Sequence, residues 1–124
     1  EKFIPTIIDI KIMLTIRSLN SLGYYPIGEG VYKILHGILD EDTIELTSIP
    51  TFKTVISLPR KKISNRIFML VRYQYIKKIY HQKSDELYLS LTEKGVIYLD
   101  DFLNKHKLQL VKKETNKKPT IIKI

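Results

Sequence analysis

The chain has no cysteine, which removes disulfides and thiolate-bound zinc and fits an intracellular setting. It has no long apolar run either. The longest near its centre is residues 67–71, far short of the roughly 20 needed to cross a bilayer as a helix. No signal-peptide pattern opens it, since Glu1 and Lys2 precede a broken apolar stretch. It lacks a glycine-rich phosphate loop, because Gly28-Glu29-Gly30 is not followed by Lys-Ser/Thr. His36, His81 and His106 are far apart and match no metal-ligand spacing; His36, on an apolar helix, reads as a structural residue. The carboxylates occur as Asp40-Glu41-Asp42, Asp85-Glu86 and Asp100-Asp101, beside turns or on a solvent-facing helix, not gathered around a Mg²⁺ site. There is no internal repeat. These absences predict a chain that is not an enzyme and needs no cofactor or metal. A start without methionine reads as a piece of a longer protein or a processed one.

The most telling absence is local. Between Leu46 and Ser84 there is no Asp or Glu, yet nine basic residues fall there: Lys53, Arg60, Lys61, Lys62, Arg66, Arg72, Lys77, Lys78 and Lys83. The other twelve basic residues are slightly outnumbered by the thirteen acidic ones, so this window accounts for the net charge of +8. An even excess of lysine would favour solubility alone. A segregated one suggests a surface built for a polyanion, with nucleic acid as the leading partner and a nucleoid-associated, cytoplasmic location.

What is present supports one domain of 124 residues, 44% hydrophobic, with a modest core. Apolar residues at three- and four-residue spacing predict a helix over residues 6–22, stopped near Gly23 and Pro26. Residues 28–30 read as loop, and 31–39 as a second helix ended by Asp40-Glu41-Asp42. Residues 43–46 alternate as a short edge strand would, and 48–57 suggest a short helix or helical turn. Ser57 is the expected N-cap of a helix over 59–73, with Pro59 in its first turn. Residues 76–80 and 87–91 read as a hairpin joined by a turn at 81–86, and Thr92 as the cap of a last helix. Beyond Lys107 a lysine-rich tail or linker is expected, its final Ile121-Ile122-Lys123-Ile124 a candidate strand.

A helical wheel centred on Ile67 puts Ile63, Leu70, Val71 and Gln74 on its side as a core stripe. Lys61, Lys62, Asn65, Met69, Arg72 and Tyr73 lie opposite, with Arg66 on the flank. Solvent-facing helices ordinarily mix signs, because Glu–Lys pairs favour them, and this face has no acid. Arginine and asparagine read base edges, while lysines mostly hold phosphates. In the hairpin, alternation of Leu87, Leu89 and Leu91 predicts a strand packed on the helices. Lys77, Lys78 and Lys83 would line its outer edge, near a phosphate backbone or as guards against edge-to-edge aggregation.

The order helix, short helix, basic helix, hairpin, then Leu91-Thr92-Glu93-Lys94-Gly95 opening a last helix resembles a winged-helix domain. Within that class, residues 30–107 resemble more closely the RQC domain of RecQ-type helicases and its smaller stand-alone relatives. The resemblance rests on Ile34-Leu35-His36-Gly37, the Ser- and Lys-rich entry at 57–63, Tyr75-Ile76, and the Leu-Thr-Glu-x-Gly at 91–95. The family's Arg-Gly-Ser step is His36-Gly37-Ile38 here, and its zinc module is impossible without cysteine. The resemblance implies an α+β fold, a winged helix-turn-helix with an extra N-terminal helix and loop (1–29) and a basic C-terminal tail (108–124). It implies a nucleic-acid-binding module, the accessory domain of a larger helicase or DNA-processing protein, contacting duplex or junction DNA. The contacts would be Arg60, Lys61, Lys62, Asn65, Arg66 and Arg72, with Lys77, Lys78 and Lys83 on the wing. The hairpin tip, Gln82-Lys83-Ser84-Asp85, has no aromatic wedge, so binding rather than strand separation is expected. Two other readings remain open. One is a dimeric winged-helix transcriptional regulator using the first helix as its dimer arm; the other is an adaptor for an acidic protein surface.

Overall fold

The computed structural model describes residues 2–113, with side chains described through residue 106. The described residues form an α+β fold of four helices and a two-stranded antiparallel sheet. In chain order these are α1 (Ile7–Ser21), α2 (Gly28–His36), α3 (Arg60–Arg72), β1 (Ile76–His81), β2 (Glu86–Leu91) and α4 (Glu93–Lys113). No helix among the described residues is long and apolar enough to cross a membrane.

α1 starts where its sequence offers a reciprocal cap. The Thr6 hydroxyl accepts from Asp9 N, and the Asp9 carboxylate accepts from Thr6 N at 2.8 Å. Its apolar stripe is wide because the helix is central: Ile12, Met13, Thr15 and Ile16 are fully buried, and it packs on the other three helices and β2. Gly23, at φ 89°, ends it in the left-handed region. Asn20 then ties its end to β2, donating to Tyr24 O and Leu89 O and accepting from the Ser90 hydroxyl.

α2 departs from expectation at both ends. Residues 28–30 are its first turn rather than loop, and it stops at His36, not at 39. Gly37 adopts φ 74°, and Gly37 N and Ile38 N bond back to Ile34 O and Lys33 O. Ile38 and Leu39 are therefore exposed beyond the helix. The expected strand at 43–46 is absent; these residues form turns. The reason is local competition for the backbone: Asp40 Oδ1 accepts from Asp42 N and Thr43 N, and the Thr43 hydroxyl donates to Ile38 O at 2.6 Å. Residues 48–54 are successive turns, bonded from Ile49 N to Leu46 O, Phe52 N to Ile49 O and Thr54 N to Thr51 O. They are fastened to α2 by Lys53 N to Ile34 O and Val55 N to Leu35 O. The buried Thr51 hydroxyl meets that of Thr15 at 2.5 Å. His36 is half-buried, its Nε2 bonded to Leu58 O and its ring against Tyr32.

Ser57 does not cap α3. Pro59 occupies the N-cap position, and among the described residues no side chain bonds the N–H groups of the first turn; Lys62 N bonds to Pro59 O at 3.0 Å, leaving those of Arg60 and Lys61. At the other end Gln74 turns left-handed at φ 68°, and Tyr75 N bonds to Leu70 O. That turn swings Gln74 into solvent, so it leaves the core stripe assigned to it, while Ile63, Ile67 and Leu70 are buried. Val71 is half-buried against the core.

β1 and β2 pair from Ile76 with Leu91 to His81 with Glu86, joined by a turn at 82–85 in which Asp85 is left-handed. Leu89 N donates to Pro26 O at 2.7 Å, so the segment before α2 touches the outer edge of β2. Leu89 and Leu91 are buried as expected, whereas Leu87 is 47% exposed. The hairpin projects past the helices, and only its root is covered. Thr92 caps α4, its hydroxyl accepting from Gly95 N and donating to Gln74 O. α4 continues to Lys113, which carries helix beyond the expected boundary at 107. The rest of the expected tail and its terminal strand, residues 114–124, lie outside the described residues.

Candidate nucleic-acid interface

α3 is held by its buried stripe, and among the described residues its opposite face is exposed. Counted at about 100° per residue, Lys61, Asn65, Phe68 and Arg72 fall within one arc of roughly 60° diametrically opposite Ile63 and Leu70. All four are exposed, and Lys62 is exposed on the flank. Among the described residues, Lys61, Lys62, Asn65 and Arg72 make no side-chain hydrogen bond or ion pair. Three basic residues, Arg60, Lys61 and Lys62, open the helix with no acid in its first turn. That is the wrong sign for the helix dipole, whose N-terminus carries partial positive charge.

The other two arginines of α3 are committed internally. Arg66 Nε and Nη2 grip Asp9 Oδ1 and Oδ2 at 2.9 and 2.6 Å, and the Asp9 side chain is 0% exposed. The guanidinium also lies 5.5 Å from the centroid of the Phe3 ring. The carboxylate hydrogen bonds push the Arg66 pKa above its ordinary value, with partial burial working against them. Arg66 thus joins α3 to the cap of α1. Arg60 makes a bidentate pair with Glu29 at 2.9 and 3.0 Å and stands 4.3 Å above the Tyr32 ring. That pair is more exposed, and Arg60 stays at the rim of the basic face. The nine cationic and amide positions read from the sequence are therefore not equivalent.

On the hairpin, Lys77, Lys78 and Lys83 are exposed, but they do not share a face. Lys78 sits between Ile76 and Tyr80 on the side that continues from the core, and Lys77 on the opposite side with Ile79 and His81. Lys83 lies in the turn. Tyr80 and Leu87 are cross-strand partners, 56% and 47% exposed, and the Tyr80 hydroxyl donates to Asp85 at 2.7 Å. That hydrogen bond, with some burial, raises the Tyr80 pKa above its ordinary value.

Phe68 was missed by reading the sequence. An aromatic in an apolar run, Ile67-Phe68-Met69-Leu70-Val71, passes for core, yet Phe68 is 59% exposed. The signal that finds it is position: it lies one helical turn after Asn65 on the acid-free side.

Glu41, Asp42 and Glu45 help to line a cavity of about 510 Å³ between α2, the 24–27 segment and Tyr88. Lys33 pairs with Asp40 at 2.8 Å and with Asp42 at 3.3 Å. Among the described residues, no group of three or more His, Cys, Asp or Glu side chains is placed to hold a metal ion.

Compared with protein-family models, curated proteins and solved structures, the chain matches none of them.

Proposed function

We propose that the chain is a nucleic-acid-binding module of the winged-helix type, with α3 as its recognition helix and β1–β2 as its wing, serving a larger DNA-processing protein. The observation that carries this reading is the first turn of α3. Lys61 and Lys62 have no partner among the described residues, sit where the helix dipole disfavours cations, and flank backbone N–H groups that no side chain caps. A local rule broken without internal compensation marks a site held for a partner. A phosphate would satisfy all three demands at once, accepting from the free N–H groups, complementing the dipole and neutralising both lysines.

The element order supports the winged-helix type: α1, the 24–27 segment touching β2, α2, α3, then the two-stranded arm. The hairpin's exposed Lys78, Lys83 and Tyr80 suit a backbone contact beside α3. The RQC resemblance adds the expectation of a helicase or related protein as the parent.

The test is fluorescence-anisotropy binding to a labelled duplex, a forked duplex and a single strand across a salt series. Binding to duplex or fork with a steep salt slope is expected. Lys61→Glu/Lys62→Glu should weaken binding to every sequence and flatten the log–log salt slope by about 2, one per lost phosphate contact. Unchanged affinity in that double variant sinks the assignment of α3. No binding by the wild-type chain at low salt sinks the reading altogether, and retention by an acidic protein would then favour the adaptor.

A further inference from the structure

Resting on the nucleic-acid reading, we infer that α3 reads A·T base pairs in the major groove, with Asn65 recognising adenine and Phe68 the methyl group of a neighbouring thymine. Three observations bring these side chains together. Both project from the face of α3 opposite Ile63 and Leu70, and both are exposed. They are one turn apart, about 4.5 Å along the helix axis, close to the roughly 3.4 Å rise between successive base pairs. Lys61 precedes them and Arg72 follows on the same stripe, giving a length of about 16 Å with charge at both ends and no charge between.

Each group suits one base. An asparagine amide can donate an N–H to adenine N7 while its oxygen accepts from the N6 amine in the major groove. An exposed aromatic offers no hydrogen bond and complements the one apolar feature of the groove, the thymine C5-methyl. Phe68 is absent from both groups of packed apolar residues, so its size does nothing for the core. Isolated exposed apolar side chains are common on protein surfaces. This one stands between an exposed amide and an exposed guanidinium, neither with a partner among the described residues, on a face otherwise fit for a phosphate-lined groove. Lys61 and Arg72 would hold the flanking backbone and set the register, and Arg66, bound to Asp9, takes no part.

The experiment uses the same anisotropy assay with three duplexes of equal length: an A·T-rich core, a G·C-rich core, and the A·T-rich core with every thymine replaced by uracil. Uracil removes only the methyl group, which lies in the major groove. The wild-type chain should prefer the A·T core by roughly 5- to 100-fold. It should lose about 3- to 5-fold per contacted methyl on uracil substitution. Phe68→Ala, a change on an exposed side chain, should erase the uracil effect, and Asn65→Ala should reduce the A·T preference while leaving the uracil effect in place. Equal wild-type affinity for the three duplexes with a steep salt slope overturns this inference and leaves the nucleic-acid reading standing. A uracil effect that persists in Phe68→Ala also overturns it. Failure to bind any duplex removes both.

Discussion

Replacing Gly95 with alanine should destabilise the protein, although alanine is the better helix former. Gly95 lies in the first turn of α4 and is buried. A Cβ there would stand 2.2 Å from the Tyr75 carbonyl oxygen and 3.1 Å from its carbon. Relieving an overlap of about 1 Å means moving the start of α4 or the peptide that opens β1, since the obstacle is backbone. Three bonds hold that junction: Thr92 N to Tyr75 O at 3.1 Å, the Thr92 hydroxyl to Gln74 O at 2.5 Å, and Lys94 Nζ to Tyr73 O at 2.9 Å. Overpacking costs about 1–3 kcal/mol, and each strained or lost hydrogen bond adds about 1 kcal/mol. The propensity gain of about 1 kcal/mol offsets part of this. The net expectation is a loss of about 2–3 kcal/mol, a fall of roughly 8–12 °C in the melting midpoint. Gly30→Ala is the control. Its Cβ would meet only Pro26 Cβ at 3.5 Å, an ordinary contact, so that variant should be neutral or gain up to about 1 kcal/mol. Thermal melts of the two, read against wild type, decide the matter. A Gly95→Ala protein as stable as wild type refutes the close-approach argument.

Arg66→Ala leaves the buried Asp9 carboxylate without its partner and should cost about 2–4 kcal/mol, measured as a lower urea midpoint. Asp9→Asn/Arg66→Leu should recover part of that loss, and no recovery would mean that α1 capping rather than the ion pair is responsible. Lys61→Glu/Lys62→Glu should raise the melting midpoint by about 3–6 °C at low salt while weakening nucleic-acid binding, because the reversed charges now suit the helix dipole. A lower midpoint would show that the lysines have a structural role. The Lys33 hydrogen bond holds the Asp40 carboxyl below its ordinary pKa, against a smaller opposing effect of burial. Its contribution to stability is therefore present above the unfolded-state value and lost as pH falls through the folded one. Asp40→Asn should flatten the acid limb of a stability–pH profile, and an unchanged limb would remove this pair from the account.

The helices and hairpin were legible because their apolar spacing follows directly from which faces are covered. The places that were not legible have a shared cause. Gly28 through Gly30 look like loop by propensity, but the helix they open is held by the burial of Val31, Ile34 and Leu35. The alternation at 43–46 imitates a strand, and only the Asp40 and Thr43 side chains, bonding their own backbone, turn it away. Gln74 falls on the core side of the wheel, but the helix ends at Arg72 and Gln74 itself turns left-handed beyond it. The basic window is plain in the sequence, but its division into free and committed cations is not. Asp9 and Glu29 lie 57 and 31 residues from the arginines they hold. Composition sees the charges, and only the fold sees which of them already have partners.

The connection between α2 and α3 returns to its own starting point. Lys53 and Val55 dock on the last carbonyls of α2, and Thr43 and Ile49 are buried on either side of exposed Ile44, Glu45, Thr47 and Ser48. The stretch 44–48 is thus an excursion pinned midway by Leu46, half-buried against Leu19, Ile34 and Ile49, so its open positions are 44–45 and 47–48. The chain can be opened there, by a protease or by splicing in a label, with α3 still positioned by contacts on both sides of the break. It is the natural place to attach a reporter without disturbing the basic face.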